Sequence, residues 1–251
     1  MSTPSKNTQN HSNLNAASPK SKEPASALTE YVGENRVEVP VKIKSLRSFH
    51  NYSSIYGFLL FKGKELYGPS FAFLEADTDV LIKLMVWFAR DEENASLLGI
   101  SLQKGIMLNG PVGCGKTSLM NIFRFILPAE QRHYIRPCRD IAVDFSNDGY
   151  IAIQRFTKNS FSQFNGEPRT YCFDDLGLEP TVQQYGIIVN VLAEIMLSRY
   201  DYFQAFQMLT HITTNLDSDE IDKRYGLRVR SRMREMFNLI SFDQTAPDKR
   251  K

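Results

Sequence analysis

The stretch Gly110-Pro111-Val112-Gly113-Cys114-Gly115-Lys116-Thr117 decides the fold class. It fits G-x-x-x-x-G-K-[ST], the phosphate-binding P-loop. Its surroundings agree. Gly105 to Asn109 is a short apolar run that reads as a buried parallel strand. After the loop, Leu119, Met120, Ile122, Phe123 and Ile126 recur at helical spacing until Pro128 stops them. A strand, a glycine loop and a helix start together offer free backbone N–H groups at the positive end of a helix dipole, which favours negative phosphate. Residues Gly110 to Ser118 are therefore expected to hold a nucleotide. Lys116 is expected to reach the β- and γ-phosphates, and the Thr117 hydroxyl to ligate Mg²⁺.

Downstream, Thr170-Tyr171-Cys172-Phe173-Asp174-Asp175 is a β-prone run that ends in two acids. Following a P-loop, this reads as a Walker B strand. Asp174 would join the Mg²⁺ shell beside Thr117, and Asp175 would orient or deprotonate the attacking water. Asp175 is shorter than a Glu, so that water must sit closer to the backbone or turnover is slow.

The remaining pattern is that of an α/β chain. Val80, Leu81, Leu84, Met85 and Phe88 form one face of a helix that starts at Asp77 or Thr78 and runs to Arg90. His133 to Cys138 reads as a second strand. Asp140 to Lys158 reads as helical with a break at Gly149, and Val182 to Arg199 as one helix. Met208 to Asn215 reads as a strand, Asp217 to Glu220 as a capping box, and Asn238 to Phe242 as a last strand. Residues 1–30 are polar and read as a disordered tail. Residues 31–75 are an addition of undecided fold, in which Val37–Val39 and Val41–Ile43 alternate like strands and Ile55–Phe61 is an apolar, aromatic run. Residues 76–245 hold the nucleotide domain, and 246–251 are a basic tail.

Composition narrows the class. Across 251 residues the hydrophobic share is 42%, enough for a core, and the net charge of +2 argues for no partner by itself. Cys114, Cys138 and Cys172 show no CxxC spacing, so neither a disulfide framework nor a zinc site is indicated, and a reducing, cytoplasmic location is expected. No apolar run has transmembrane length and no signal peptide is visible, so no membrane partner is expected. His11, His50, His133 and His211 have no metal-ligand spacing. Arg139, Arg155, Lys158 and Arg169 interleave with Phe145, Tyr150, Phe156, Phe161 and Phe164. That pattern is either a single-stranded nucleic-acid platform or a core with a solvated cationic face.

Taken in order, the P-loop, Asp174-Asp175, Thr213-Thr214-Asn215 and the arginine-rich run Gly226 to Arg234 resemble the AAA+ ATPases, and within them the DnaC-type helicase loaders and IstB-type transposition ATPases. The resemblance spans roughly residues 75 to 245. It implies a P-loop three-layer sandwich with a mostly parallel central sheet, ATP and Mg²⁺ as ligands, and hydrolysis of ATP to ADP and phosphate. Sensor 1 falls on Asn215, the box VII arginine on Arg228, and the arginine finger that enters a neighbouring subunit's site on Arg232. The implied partners are further copies of the chain, single-stranded DNA, and a replicative helicase or a transposase. The competing functions are a transposon-associated ATPase that marks target DNA for a transposase and a nucleotide-gated assembly switch with negligible turnover. A GTPase is disfavoured by the lack of Asn-Lys-x-Asp.

Overall fold

The computed structural model describes residues 38–44, 50–184 and 186–250. The expected tail over residues 1–30 lies outside them. Strands are β1 (Gly105–Asn109), β2 (Tyr134–Pro137), β3 (Tyr171–Leu176), β4 (Val182–Gln184), β5 (Ile187–Val189), β6 (Thr210–Thr214) and β7 (Phe237–Ser241). Helices are α1 (Val41–Lys44), α2 (Tyr52–Tyr67), α3 (Thr78–Phe88), α4 (Glu92–Leu97), α5 (Lys116–Phe123), α6 (Cys138–Asp148), α7 (Tyr150–Phe156), α8 (Val191–Phe206), α9 (Ser218–Tyr225) and α10 (Leu227–Met236).

Five strands form one parallel sheet in the order β2-β3-β6-β1-β7. Side chains alternate across it, and both faces are covered, which is the usual condition for a parallel sheet. On one face Ile106, Leu108, Cys172 and Ile240 pack with α2, α3 and α5 through Leu59, Leu84, Met85 and Met120. On the other, Met107, Phe173, Ile212 and Phe237 pack with α6 to α10 through Phe145, Leu192, Ile195 and Met233. The expected three-layer α/β sandwich is therefore present.

Two local readings are corrected. The residues around Val41 and Ile55 are helical, not strand-like: Ile43, Ile55, Tyr56 and Leu59 are buried in the first core, so α1 and α2 help cover the sheet. The helix expected from Val182 begins only at Val191. Before it, β4 and β5 form an antiparallel hairpin that turns at Gly186, whose φ of +80° is open to glycine. The Asn190 side chain then accepts the Ala193 N–H at 3.1 Å and starts α8. The break at Gly149 and the Asp217–Glu220 capping box occur as expected.

Three buried polar side chains, Arg199, His133 and His211, shape the sheet. Arg199, 0% exposed, donates to Thr210 Oγ1 and to the carbonyls of Phe156, Leu209 and Arg169, at 2.6–3.1 Å. It has no carboxylate partner among the described residues, and burial lowers its pKa to about 9. On the opposite face, the rings of His133 and His211 meet at 5.0 Å. His133 Nε2 bonds the Met120 carbonyl, and His211 Nδ1 accepts the Ile106 N–H. Burial holds the His133 pKa at about 4 and pushes His211 well below its ordinary value.

Because the folded-state pKa lies below the unfolded value, this stabilisation is complete above about pH 6.5 and is lost as pH falls towards 4. For His133 alone the loss amounts to about 3 kcal/mol. Urea midpoints at pH 7.5 and 4.5 should differ accordingly, and a His133→Leu variant should show a shallower fall.

Candidate nucleotide site

The loop between β1 and α5 closes over the carboxyl ends of the strands. Gly115 caps α5 in the left-handed region with φ +102°, a conformation costly for any residue with a Cβ. Cys114 is fully buried beneath the loop, and burial raises its thiol pKa, so it is a spacer and a poor nucleophile. The Lys116 ammonium folds back onto the loop, donating to the Gly110 carbonyl at 2.7 Å and the Pro111 carbonyl at 2.9 Å.

β3 delivers the two acids to different places. Asp174 points inward and is buried. Its carboxylate accepts the Thr117 hydroxyl at 2.9 and 3.1 Å and the Thr213 hydroxyl at 2.6 Å. Burial raises the Asp174 pKa despite these bonds. The next residue breaks the strand. Pairing with β6 shifts register between Phe173 and Leu176, and Asp175 sits in the left-handed region with φ +57°. A bulge of this kind re-aims a side chain, and left-handed backbone at a non-glycine residue costs about 1–3 kcal/mol. Here it turns Asp175 out into the pocket, while its N–H is held by Thr213 Oγ1 at 2.8 Å.

The pocket occupies about 660 Å³, a size suited to a nucleotide. It is lined by Val112, Gly113, Gly115, Lys116, Thr117, Ser118, Asp175 and Asn215, together with Tyr67, Phe71 and Phe73. Thr117 and Asp174 are hard oxygen donors already in contact, a pair that could hold Mg²⁺ together with waters. Among the described residues no group of three or more acidic, His or Cys side chains is placed to hold a metal ion.

The arginine-rich helix α10 stands apart from this pocket. Arg228 is exposed, and Arg230 is 3.9 Å from Asp222. Arg232 lies over the Tyr200 ring at 4.6 Å, with its guanidinium 3.9 Å from Asp201. Neither Arg228 nor Arg232 lines the pocket of its own chain.

Sequence reading missed two contributions. Thr213, not only Asn215, joins β6 to the site, and its signal was the hydroxyl one position before the strand's end. The second is the segment 246–250, which crosses the phosphate loop. The Lys249 N–H donates to the Gly113 carbonyl at 3.0 Å, and the Lys249 ammonium bonds the buried Asp77 carboxylate at 2.6 Å. Asp248 lies so close to Gly113 that a Cβ there would collide with its carboxylate. Arg250 in turn pairs with Asp248 at 3.0 Å.

No protein-family model matches the chain, and no curated protein matches it. Solved structures with a similar fold include a DnaC helicase loader (18% identity, TM-score 0.48), which aligns over 69% of this chain and 93% of its own. DnaI aligns over 70% and 90% (15% identity, TM-score 0.46). DnaA from Aquifex aeolicus, bound to AMPPCP, aligns over 69% and 48% (17% identity, TM-score 0.43). The fold itself stands on strand order and loop geometry. No described helix is long and apolar enough to cross a membrane.

The Thr213 hydroxyl accepts one hydrogen bond and donates another, so Thr213→Val leaves the Asp175 N–H without its acceptor and Asp174 with the Thr117 hydroxyl alone. Stability should fall by about 1–3 kcal/mol in urea denaturation. An unchanged midpoint would show that the hydroxyl is dispensable.

Proposed function

We propose that the chain is an AAA+ ATPase that binds ATP with Mg²⁺, hydrolyses it, assembles with further copies of itself, and acts on DNA by loading or remodelling a replication partner such as a replicative helicase. One observation carries the catalytic half. Thr117 and Asp174 are in hydrogen-bond contact, with Lys116 behind them and Asp175 turned out beside them. The DNA half rests on the order of the motifs from the P-loop through Asn215 to Arg232.

In this reading the triphosphate lies along the loop N–H groups and the start of α5. Lys116 exchanges the Gly110 and Pro111 carbonyls for phosphate oxygens. Thr117 and Asp174 would hold Mg²⁺, which when bound would supply charge neutralisation for the phosphates. Asp175 accepts a proton from the attacking water or fixes its direction, while Asn215 at the tip of β6 orients the same water. The bond from the γ-phosphorus to the bridging oxygen breaks, leaving ADP and inorganic phosphate. The aromatic lining at Tyr67 and Phe71 suits a purine ring. Arg232 reaches a neighbouring copy's γ-phosphate once it leaves Tyr200, and Arg228 supports that contact.

A nucleotide-gated switch with negligible turnover is the second reading, favoured by the segment 246–250 lying across the loop. Phosphate release by the full chain separates the two readings. The ATPase reading expects turnover that Lys116→Ala abolishes together with ATP binding. It expects Asp175→Asn to bind ATP and hydrolyse it at least 100-fold more slowly. Binding of ATP by the unaltered chain without phosphate release would establish the switch. Arg232→Ala should lose turnover alone and regain it when mixed with Lys116→Ala chains; failure to complement argues against a shared site.

A further inference from the structure

A second concavity, of about 480 Å³, lies at the other end of the sheet. Its walls carry Arg124, Arg136, Arg155 and Arg169 with Tyr134 and Tyr171, and no carboxylate lines it. Tyr134 and Tyr171 are the first residues of β2 and β3, and Arg124 follows the far end of α5. The strands separate this cleft from the phosphate loop by about 15 Å.

Its charge is only partly compensated. Arg136 pairs with Asp144 at 3.2 Å and Arg155 with Asp148 at 2.6 Å, both acids lying outside the cleft. Arg124 and Arg169 form no ion pair among the described residues. Buried Nε atoms of Arg124 and Arg136 also lack a hydrogen-bond partner. Beside these cations Tyr134 is 54% exposed, its ring 5.7 Å from that of Tyr171.

The floor is fixed. Arg199 lies 5.5 Å behind the Tyr171 ring and donates to the carbonyls of Arg169 and Phe156. β2 is also the outermost strand, so one side of the cleft is open to a ligand that continues past it.

Uncompensated guanidiniums alone would accept any anion. Joined to an exposed aromatic ring in an open-sided groove, they match a ligand that alternates phosphates with planar bases. An acidic peptide offers charge without rings. We propose that this cleft binds single-stranded nucleic acid, with phosphates on Arg124 and Arg169 and a base stacked on Tyr134. The inference rests on the DNA-directed part of the proposed function and gives it a location. Arg155 and Arg169 belong to the basic and aromatic pattern read from the sequence, whereas Phe145 and Phe156 from that pattern are core.

The test is fluorescence anisotropy of a labelled dT20 oligonucleotide with the full chain over a range of salt concentrations. Arg124→Ala/Arg169→Ala should weaken binding at least 10-fold and flatten the log–log salt dependence by about 1.4, from roughly 0.7 per phosphate contact. Tyr134→Ala should weaken it about 5-fold or more, and Tyr134→Phe should restore it. Thermal midpoints of the variants establish that they fold. A folded double variant that binds dT20 like the unaltered chain overturns the proposal. So does displacement of dT20 by a poly-glutamate peptide at equal concentration. Failure of the DNA-directed reading gives a different signal, no binding of dT20 by the unaltered chain, which overturns the proposal with it, whereas dT20 binding that survives the double substitution overturns the location alone.

Discussion

The site depends on a carboxylate shared between two hydroxyls. Asp174 accepts from Thr117 at the start of α5 and from Thr213 on β6. The same Thr213 oxygen accepts the Asp175 N–H. Three pieces of chain that are remote in sequence are thereby fixed at one point: the phosphate loop, the acid strand and the central strand between them. Burial works against the Asp174 charge, and the hydroxyl bonds work for it. A cation placed beside it would shift that balance strongly towards the ionised form. The local cost is a strand that cannot stay regular, and the bulge at Asp175 is the result.

This makes the two adjacent acids chemically distinct. Asp174 is buried and anchored to side chains on neighbouring elements, whereas Asp175 is exposed, in left-handed backbone, and turned into the pocket. A flat strand would have sent them to opposite faces of the sheet, one of them into the helices of the second core. The bulge instead turns Asp175 out into the pocket, on the side of the sheet where Asp174 meets Thr117.

How much of this was legible depends on how local the cause is. The phosphate loop, the strand before it and the helix after it are written in consecutive residues, and Asp174-Asp175 follows an unbroken apolar run. Both were readable. The hairpin of β4 and β5 was not, because Ile187 and Ile188 are exposed yet continue an apolar series into α8, and only Gly186 and Asn190 mark the turn. The pairing of His133 with His211, the hydroxyl of Thr213 and the burial of Arg199 arise from strand order, which a one-dimensional pattern does not contain. The residues around Ile55 were ambiguous for a different reason. They are apolar on several sides because α2 is buried broadly, so the amphipathic signature of a surface helix is missing.

Segment 246–250 looks, by composition, like a stretch that would fray freely. In the fold its Lys249 amide is tied to the Gly113 carbonyl and its ammonium to Asp77 at the foot of α3. Solvent hydrogen reaches that amide only when the crossing peels away from the phosphate loop, because local opening governs exchange of a bonded N–H. The protection of one backbone proton thus measures how often the nucleotide pocket stands uncovered.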